Sequence, residues 1–325
     1  MRELDLRATL RDGLGEYQTT EVQTYGCKNC GASVEFDPHT HAAECPFCAT
    51  PVVGETAPQS QIKPQGLLPF GISEEVAHKS MNNWLGGLWF APNGLNEYAR
   101  KGRRLDGIYV PYWTYDADTA TGYTGQRGTV YYVTESYTRR VDGRITTGTR
   151  RVQKIRWDTV RGRVTRFFDD VLVLASKSLP KKFTDGLEPW DLGALEPYQP
   201  EYLAGFRAES YTVSLEDGYR EAQVIMDRTV TRDIKFDIGG DRQKILSANT
   251  EYKSTSFKHV LLPVWMAAYK YRGKSYRFVI NGRTGRIQGQ RPYSIWKITF
   301  AVLVFSIVAV GSGYLIALAQ NSGHI

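Results

Sequence analysis

Apolar positions follow three kinds of pattern along this chain. From Ile298 to Ala319, 22 residues pass without a charged side chain. At about 1.5 Å of rise per helical residue, such a run can cross a hydrocarbon core of about 30 Å. It has neither alternation nor a polar stripe, so residues 295–319 are expected to form a transmembrane helix rather than a buried C-terminal hairpin. Helical spacing marks two further segments. Ser73 is a good N-cap, Glu74 and Glu75 suit the positive end of the helix dipole, and Ala77, Met81, Trp84, Leu85 and Leu88 share one face. Gly86-Gly87 and Ala91-Pro92-Asn93-Gly94 close that helix. Ser214 with Asp217 three residues on is a capping-box pattern, and Leu215, Tyr219, Ala222, Met226 and Val230 keep helical spacing after it. A shorter amphipathic helix is expected within Arg2–Glu16, from Leu4, Leu6, Leu10 and Leu14. Strand-like text fills the stretch from Tyr109 to Phe168. Val130-Tyr-Tyr-Val133, the Asp142-Gly143 turn, and Val152, Ile155 and Trp157 predict a long antiparallel ribbon.

The order of elements repeats. Tyr109-Val-Pro-Tyr-Trp113 follows the first helix and Leu261-Leu-Pro-Val-Trp265 follows the second, each leading into a hairpin, the later one turning at Arg272-Gly273 and Asn281-Gly282. The fold class is therefore read as α+β: an N-terminal ribbon that carries all four cysteines, two related helix-plus-antiparallel-sheet units, and one C-terminal transmembrane helix. The expected divisions are an amphipathic segment 1–22, the ribbon 23–55, a linker 56–70, a first unit 71–180, a Pro-rich connector 181–209, a second unit 210–293 and the span. The two Pro-x-Trp tryptophans are expected in the core.

All four cysteines fall in two knuckles, Cys27-Lys-Asn-Cys30 and Cys45-Pro-Phe-Cys48, with fourteen residues between them. Two C-x2-C pairs at this separation point to one tetrahedral zinc ion held by Cys27, Cys30, Cys45 and Cys48. Four thiolates leave no open coordination position, so the ion is expected to be structural. The alternative is two disulfides, which a reducing cytoplasm disfavours. The intervening residues read as a short hairpin, with Val34 and Phe36 alternating and Asp37-Pro38 turning; His39 and His41 are expected to be solvent-exposed.

Charge decides orientation. No Asp or Glu occurs from Tyr252 to Ile325, whereas Arg283, Arg286, Arg291 and Lys297 precede the span and no Lys or Arg follows it. Positive flanks stay inside, which places the head in the cytoplasm of a single-pass protein of the plasma (inner) membrane. Arg291, Tyr293, Trp296 and Lys297 are expected at the lipid–water interface, where the bases meet anionic head groups. The opening MRELDLRATLRDGL is charged and lacks an apolar stretch, so no signal peptide is expected. Between Ala120 and Arg166, eleven bases stand against three acids, a local balance of +8 beside +7 for the whole 325-residue chain. Arg139, Arg140, Arg150, Arg151, Lys154 and Arg156, interleaved with tyrosines, are the candidate surface for phosphates of lipid or nucleic acid, or for an acidic protein. A solvated strand face is the alternative.

No catalytic constellation emerges. Gly273-Lys274-Ser275 resembles the end of a P-loop, but the required earlier glycine is Ala268 and the context is a hairpin, so helicase or NTPase activity is not expected. Asp116, Asp118, Asp169 and Asp170 would hold a divalent cation if they met in space.

The cysteine knuckles together with WFAPNGL, GIYVPYWTYDADT, YTGQRG, FFDDVLVLAS and LPVWMAAYKYRGKSYRFVINGRTGRIQGQRP resemble a group of bacterial zinc-ribbon membrane proteins. Some members carry a primosomal-helicase-like name, and the group is similar to zinc-ribbon partners of stomatin/prohibitin-like and phage-shock-like proteins. The resemblance implies membrane recruitment or a membrane stress response, and assigns a role only to the four cysteines, as zinc ligands. The expected function is a membrane-tethered adaptor that holds a protein partner; a nucleic-acid binder and a metal-dependent hydrolase are the alternatives.

Overall fold

The computed structural model describes residues 3–13, 15, 18–35, 42–48, 50–53, 57–92, 105–141, 144–271, 274–290 and 293–322. Its elements run β1 (Leu4–Asp5), α1 (Leu6–Asp12), β2 (Thr19–Gly26), β3 (Ser33–Glu35), β4 (Ala42–Glu44), β5 (Pro51–Val53), β6 (Ala57–Ile62), β7 (Gly66–Leu67), α2 (Glu74–Gly86), β8 (Asp106–Val141), β9 (Arg144–Leu174), α3 (Lys181–Leu187), β10 (Glu196–Pro197), β11 (Arg207–Ser210), α4 (Leu215–Ile238), β12 (Arg242–Tyr271), β13 (Lys274–Asn281), β14 (Ile287–Gly289) and α5 (Ile295–Ser322). The architecture is α+β, built on one large sheet.

Three unusually long strands form the spine. β8 pairs antiparallel with β12 on one side and β9 on the other, and β12 continues to β13 and β14. The core follows the two-residue period of a strand. Ile108, Val110, Tyr112, Val260, Leu262 and Val264 pack on the cysteine module and Leu187 of α3. The intervening Trp113, Tyr115 and Phe257 face α4, and Trp265 faces α2. Both faces are covered, which is why these strands read as unbroken apolar runs in sequence.

Pro111 and Pro263 sit inside central strands, an unusual place for a residue without an N–H. Each falls where the outer edge of its strand passes from one neighbour to another. β8 leaves β11 at Tyr109 and meets β9 at Tyr112; β12 leaves β7 at Leu261 and meets β13 at Val264. The proline carbonyls stay in use, accepting from Ala175 N (3.0 Å) and Gly282 N (2.9 Å).

The helices begin at the expected serines. Ser73 Oγ accepts from Val76 N, and Ser214 Oγ accepts from Asp217 N at 3.1 Å. Trp113 Nε1 donates to the carbonyl of Val213, just before the second N-cap; Trp265 Nε1 donates to that of Ile72, just before the first, each at 3.1 Å. Ala175 O accepts from Thr212 N and Val213 N, as Gly282 O accepts from Gly71 N and Ile72 N. Each helix thus docks on strands of the other half of the chain: α2 with Trp265, Phe278 and Ile280, and α4 with Trp113, Tyr115 and Phe168. Gly218 is where α4 comes closest, since a Cβ there would lie 2.5 Å from Tyr115 Oη and 2.7 Å from Trp113 Cδ1.

Several local expectations differ. The 33–35 strand pairs with β2 and β11, not with β4, which pairs with β5 instead. Each knuckle is the turn of its own hairpin, so the chain between the knuckles connects two hairpins rather than forming one. Phe36 to His41, the Asp142-Gly143 and Arg272-Gly273 turns, and Arg291 lie outside the described residues. The stretches read as linker and connector carry strands. β6 pairs with β2, β7 joins β10 to β12, and β11 bridges β3 and β8. β7 and β11 escaped notice because two to four residues are too few to show an alternating pattern, and β6 because its residues are polar. Among the described residues, the amphipathic N-terminal segment is helical over Leu6–Asp12, with Leu6 buried and Leu10 exposed; Leu14 lies outside them.

Candidate metal centre and the surfaces around it

Each knuckle is turned by backbone hydrogen bonds. In the first, Gly31 N donates to Cys27 O and Cys27 N to Ala32 O, both 2.8 Å, with Gly31 at φ 75°, a conformation that favours glycine. In the second, Cys45 N donates to Thr50 O at 2.9 Å. Asn29 Nδ2 donates to Thr50 Oγ1 at 2.9 Å and ties the two knuckles together. The ligand atoms meet: Cys27 Sγ is 3.6 Å from Cys48 Sγ, Cys30 Sγ is 3.7 Å from Cys45 Sγ, and all four lie within 4.8 Å of one another. A disulfide needs about 2.05 Å. Four sulfurs at about 2.3 Å around a tetrahedral ion stand about 3.8 Å apart, so the spacing fits a metal.

The packed thiols do not titrate alike. The hydrogen bond with Cys45 brings Cys30 down to about 5, and the same pairing drives Cys45 far upward. Burial raises Cys27, whereas at Cys48 burial is outweighed by hydrogen bonds from Thr50 and Asn29 that favour the thiolate. A cation among the sulfurs would relieve this crowding by displacing the protons. Beside the cluster, Glu209 is buried and pushed up to about 8 by burial, with Ser176 Oγ donating to it at 2.6 Å. Burial thus favours its uncharged form beside the thiolates. Sequence reading did not single it out; β11 carries it into the core by pairing with both β3 and β8.

The acidic candidates meet in part. Asp116, Asp169 and Asp170 offer carboxylates within 4.8 Å of one another, whereas Asp118 is not part of the cluster. The space already holds a cation of the chain's own. Lys258 Nζ is 2.7 Å from Asp170 Oδ1, 3.1 Å from Glu3 Oε1 and 3.9 Å from Asp116 Oδ2. Burial raises Asp116 to about 6, against the pull of Asp170 N and Lys258. Lys258 and Glu3 were not legible in the sequence because they lie far from the aspartates along the chain, Lys258 in β12 and Glu3 just before β1.

The basic stretch forms a free arm. Beyond Gly128, β8 and β9 leave β12 behind and run on as thirteen pairs from Thr129↔Arg156 to Val141↔Arg144, about 40 Å of two-stranded ribbon. Arg139, Arg140, Arg150, Arg151, Lys154 and Arg156 are all exposed on it. Glu135 meets Lys154 at 2.9 Å and Arg150 at 3.7 Å, Asp158 meets Arg156 at 3.5 Å, and Arg151 stacks on Tyr132 at 4.2 Å. Arg139 and Arg140 make no ion pair among the described residues. The charges also keep the open strand edges from pairing with other chains.

At the other end, α5 is long and apolar enough to span a membrane, and its window Ile295–Tyr314 is not buried against the head at all. Its root is fastened: Ser294 N donates to Phe90 O at 2.8 Å and Lys297 Nζ to Ala91 O at 2.9 Å. Tyr293 and Trp296 are exposed beside it.

No family model and no solved structure matches the chain. The chain is 25% identical over 353 aligned positions to the uncharacterized protein YdjG of Bacillus subtilis, covering 90% of this chain and 100% of that one.

Proposed function

We propose that this protein is a single-pass, cytoplasm-facing adaptor of the plasma membrane that holds a protein partner through a head stapled by one structural zinc ion. The observation that carries the reading is α5: apolar on every face, unburied, and hydrogen-bonded at its root to the head. Arg286 and Arg283 precede it and Lys297 lies in its first turn, ahead of the uncharged run from Ile298, the polarity that keeps a head inside. Zinc is the metal favoured by four thiolates in a tetrahedral frame, and a closed shell suits support rather than catalysis. The matching bonds of Trp113 and Trp265, and of Ala175 and Gly282, support reading the body as two related units that have exchanged helices. The arm supplies the recruiting surface for an acidic partner, because it stands clear of the sheet with two unpaired arginines.

Protease added outside sealed right-side-out vesicles should leave the head intact, whereas inside-out vesicles should lose it. The metal is tested by elemental analysis of the purified chain, expected at one zinc per chain. Co-purification from detergent should yield a dominant partner that is lost when Arg139, Arg140, Arg150 and Arg151 become Glu. A second reading is favoured by the same exposed tyrosines and arginines: the arm binds nucleic acid. A salt-dependent gel shift abolished by those reversals would support it over the first.

A further inference from the structure

We propose that the loop after α2, Leu88–Pro92, is a second membrane-contacting element that dips Trp89 and Phe90 into the lipid–water interface beside the span. The proposal rests on reading α5 as a membrane helix. Leu88 and Ala91 are held in the core with Trp265 and Phe278, which leaves the two residues between them nowhere to turn but outward. Trp89 is 82% exposed and Phe90 40%, a large cost for a loop that faces only water. The loop is not free to drift. Ala91 N donates to Leu88 O at 3.0 Å, Phe90 O accepts from Ser294 N, and Ala91 O accepts from Lys297 Nζ. These bonds fix the loop at the level where α5 begins.

Together Trp89, Phe90, Trp296 and Phe300 line one apolar concavity along the first turns of α5. Its floor is the side of a helix whose other faces meet acyl chains, so the concavity is continuous with the lipid-facing surface, and lipid is its occupant. Trp is suited to that depth, with an apolar body for the acyl boundary and an N–H for the head groups. Two contacts a loop apart would set the height and tilt of the head, which a single helix with a flexible root would leave loose.

The test uses the full-length chain reconstituted in vesicles of phosphatidylcholine and phosphatidylglycerol. Photoreactive benzoylphenylalanine replaces Trp89, Phe305 in the span, or Phe236, an exposed residue near the far end of α4. After illumination, mass spectrometry is expected to find phospholipid adducts at positions 89 and 305 and none at 236. Adducts at 305 without any at 89 would overturn the proposal and leave the span standing. A cross-link from 89 to a second protein chain would also overturn it, since the surface would then be a protein interface. Absence of lipid at 305 would remove the span reading and this inference with it.

Discussion

At Lys258 an ammonium with 8% of its side chain exposed balances Asp170, Asp116 and Glu3. Lys258→Met keeps much of the stem and strands Asp116 without a counter-charge, so a loss of about 3 kcal/mol is expected in chemical denaturation of the detergent-solubilised chain. His259 carries a different liability. Its Nδ1 lies 2.8 Å from Ile62 O, and burial lowers it from 6.5 to about 4. Below 6.5 the unfolded chain takes up a proton that the folded chain refuses until about 4, so stability falls as pH drops through that window. Melting temperature followed from pH 7 to 4 should show that acid limb, and His259→Gln should flatten it. The cysteines were legible because a metal imposes local spacing. Lys258 and His259 were not, because their environment is made by Glu3, Asp116, Ile62 and Trp113, all far away along the chain.

Among elements, α4 makes the tightest fit. Gly218 lets it close on Trp113 and Tyr115, and Tyr115 Oη donates to Leu215 O at 2.8 Å. Gly218→Ala raises intrinsic helix propensity yet is expected to destabilise by about 1–3 kcal/mol through overpacking, read as a lower denaturation midpoint. Exposed arm residues should behave oppositely: Arg139→Glu with Arg140→Glu should move the midpoint by less than about 0.5 kcal/mol while altering what the arm binds. The capped helices and the ribbon were readable from Ser73, Ser214 and the alternation around Val130, since those signals are local. The pairings of β7, β10 and β11 were not. Each is two to four residues long; β11 and β7 fill the edges left beside Pro111 and Pro263, and β10 is placed only by pairing with β7.

For the whole molecule, the metal module is part of the body rather than an appendage. Phe47, Val34 and the buried cysteines share a core with Ile108, Val110 and Leu262. Stripping the metal with a strong chelator should therefore lower the melting temperature of the entire head and open residues 27–48 to protease, and zinc should restore both. The docking of α2 on strands from the far end of the head sets a timetable for biosynthesis. The surface that receives α2 is made of Trp265, Phe278 and Ile280, so the early helix must wait, unsheltered, until almost the last soluble residues leave the ribosome. The apolar α5 follows these residues in the sequence. On the proposal that α5 is a membrane helix, completion of the head and delivery to the bilayer would fall together, and a holdase that shields the waiting helix would find its client here.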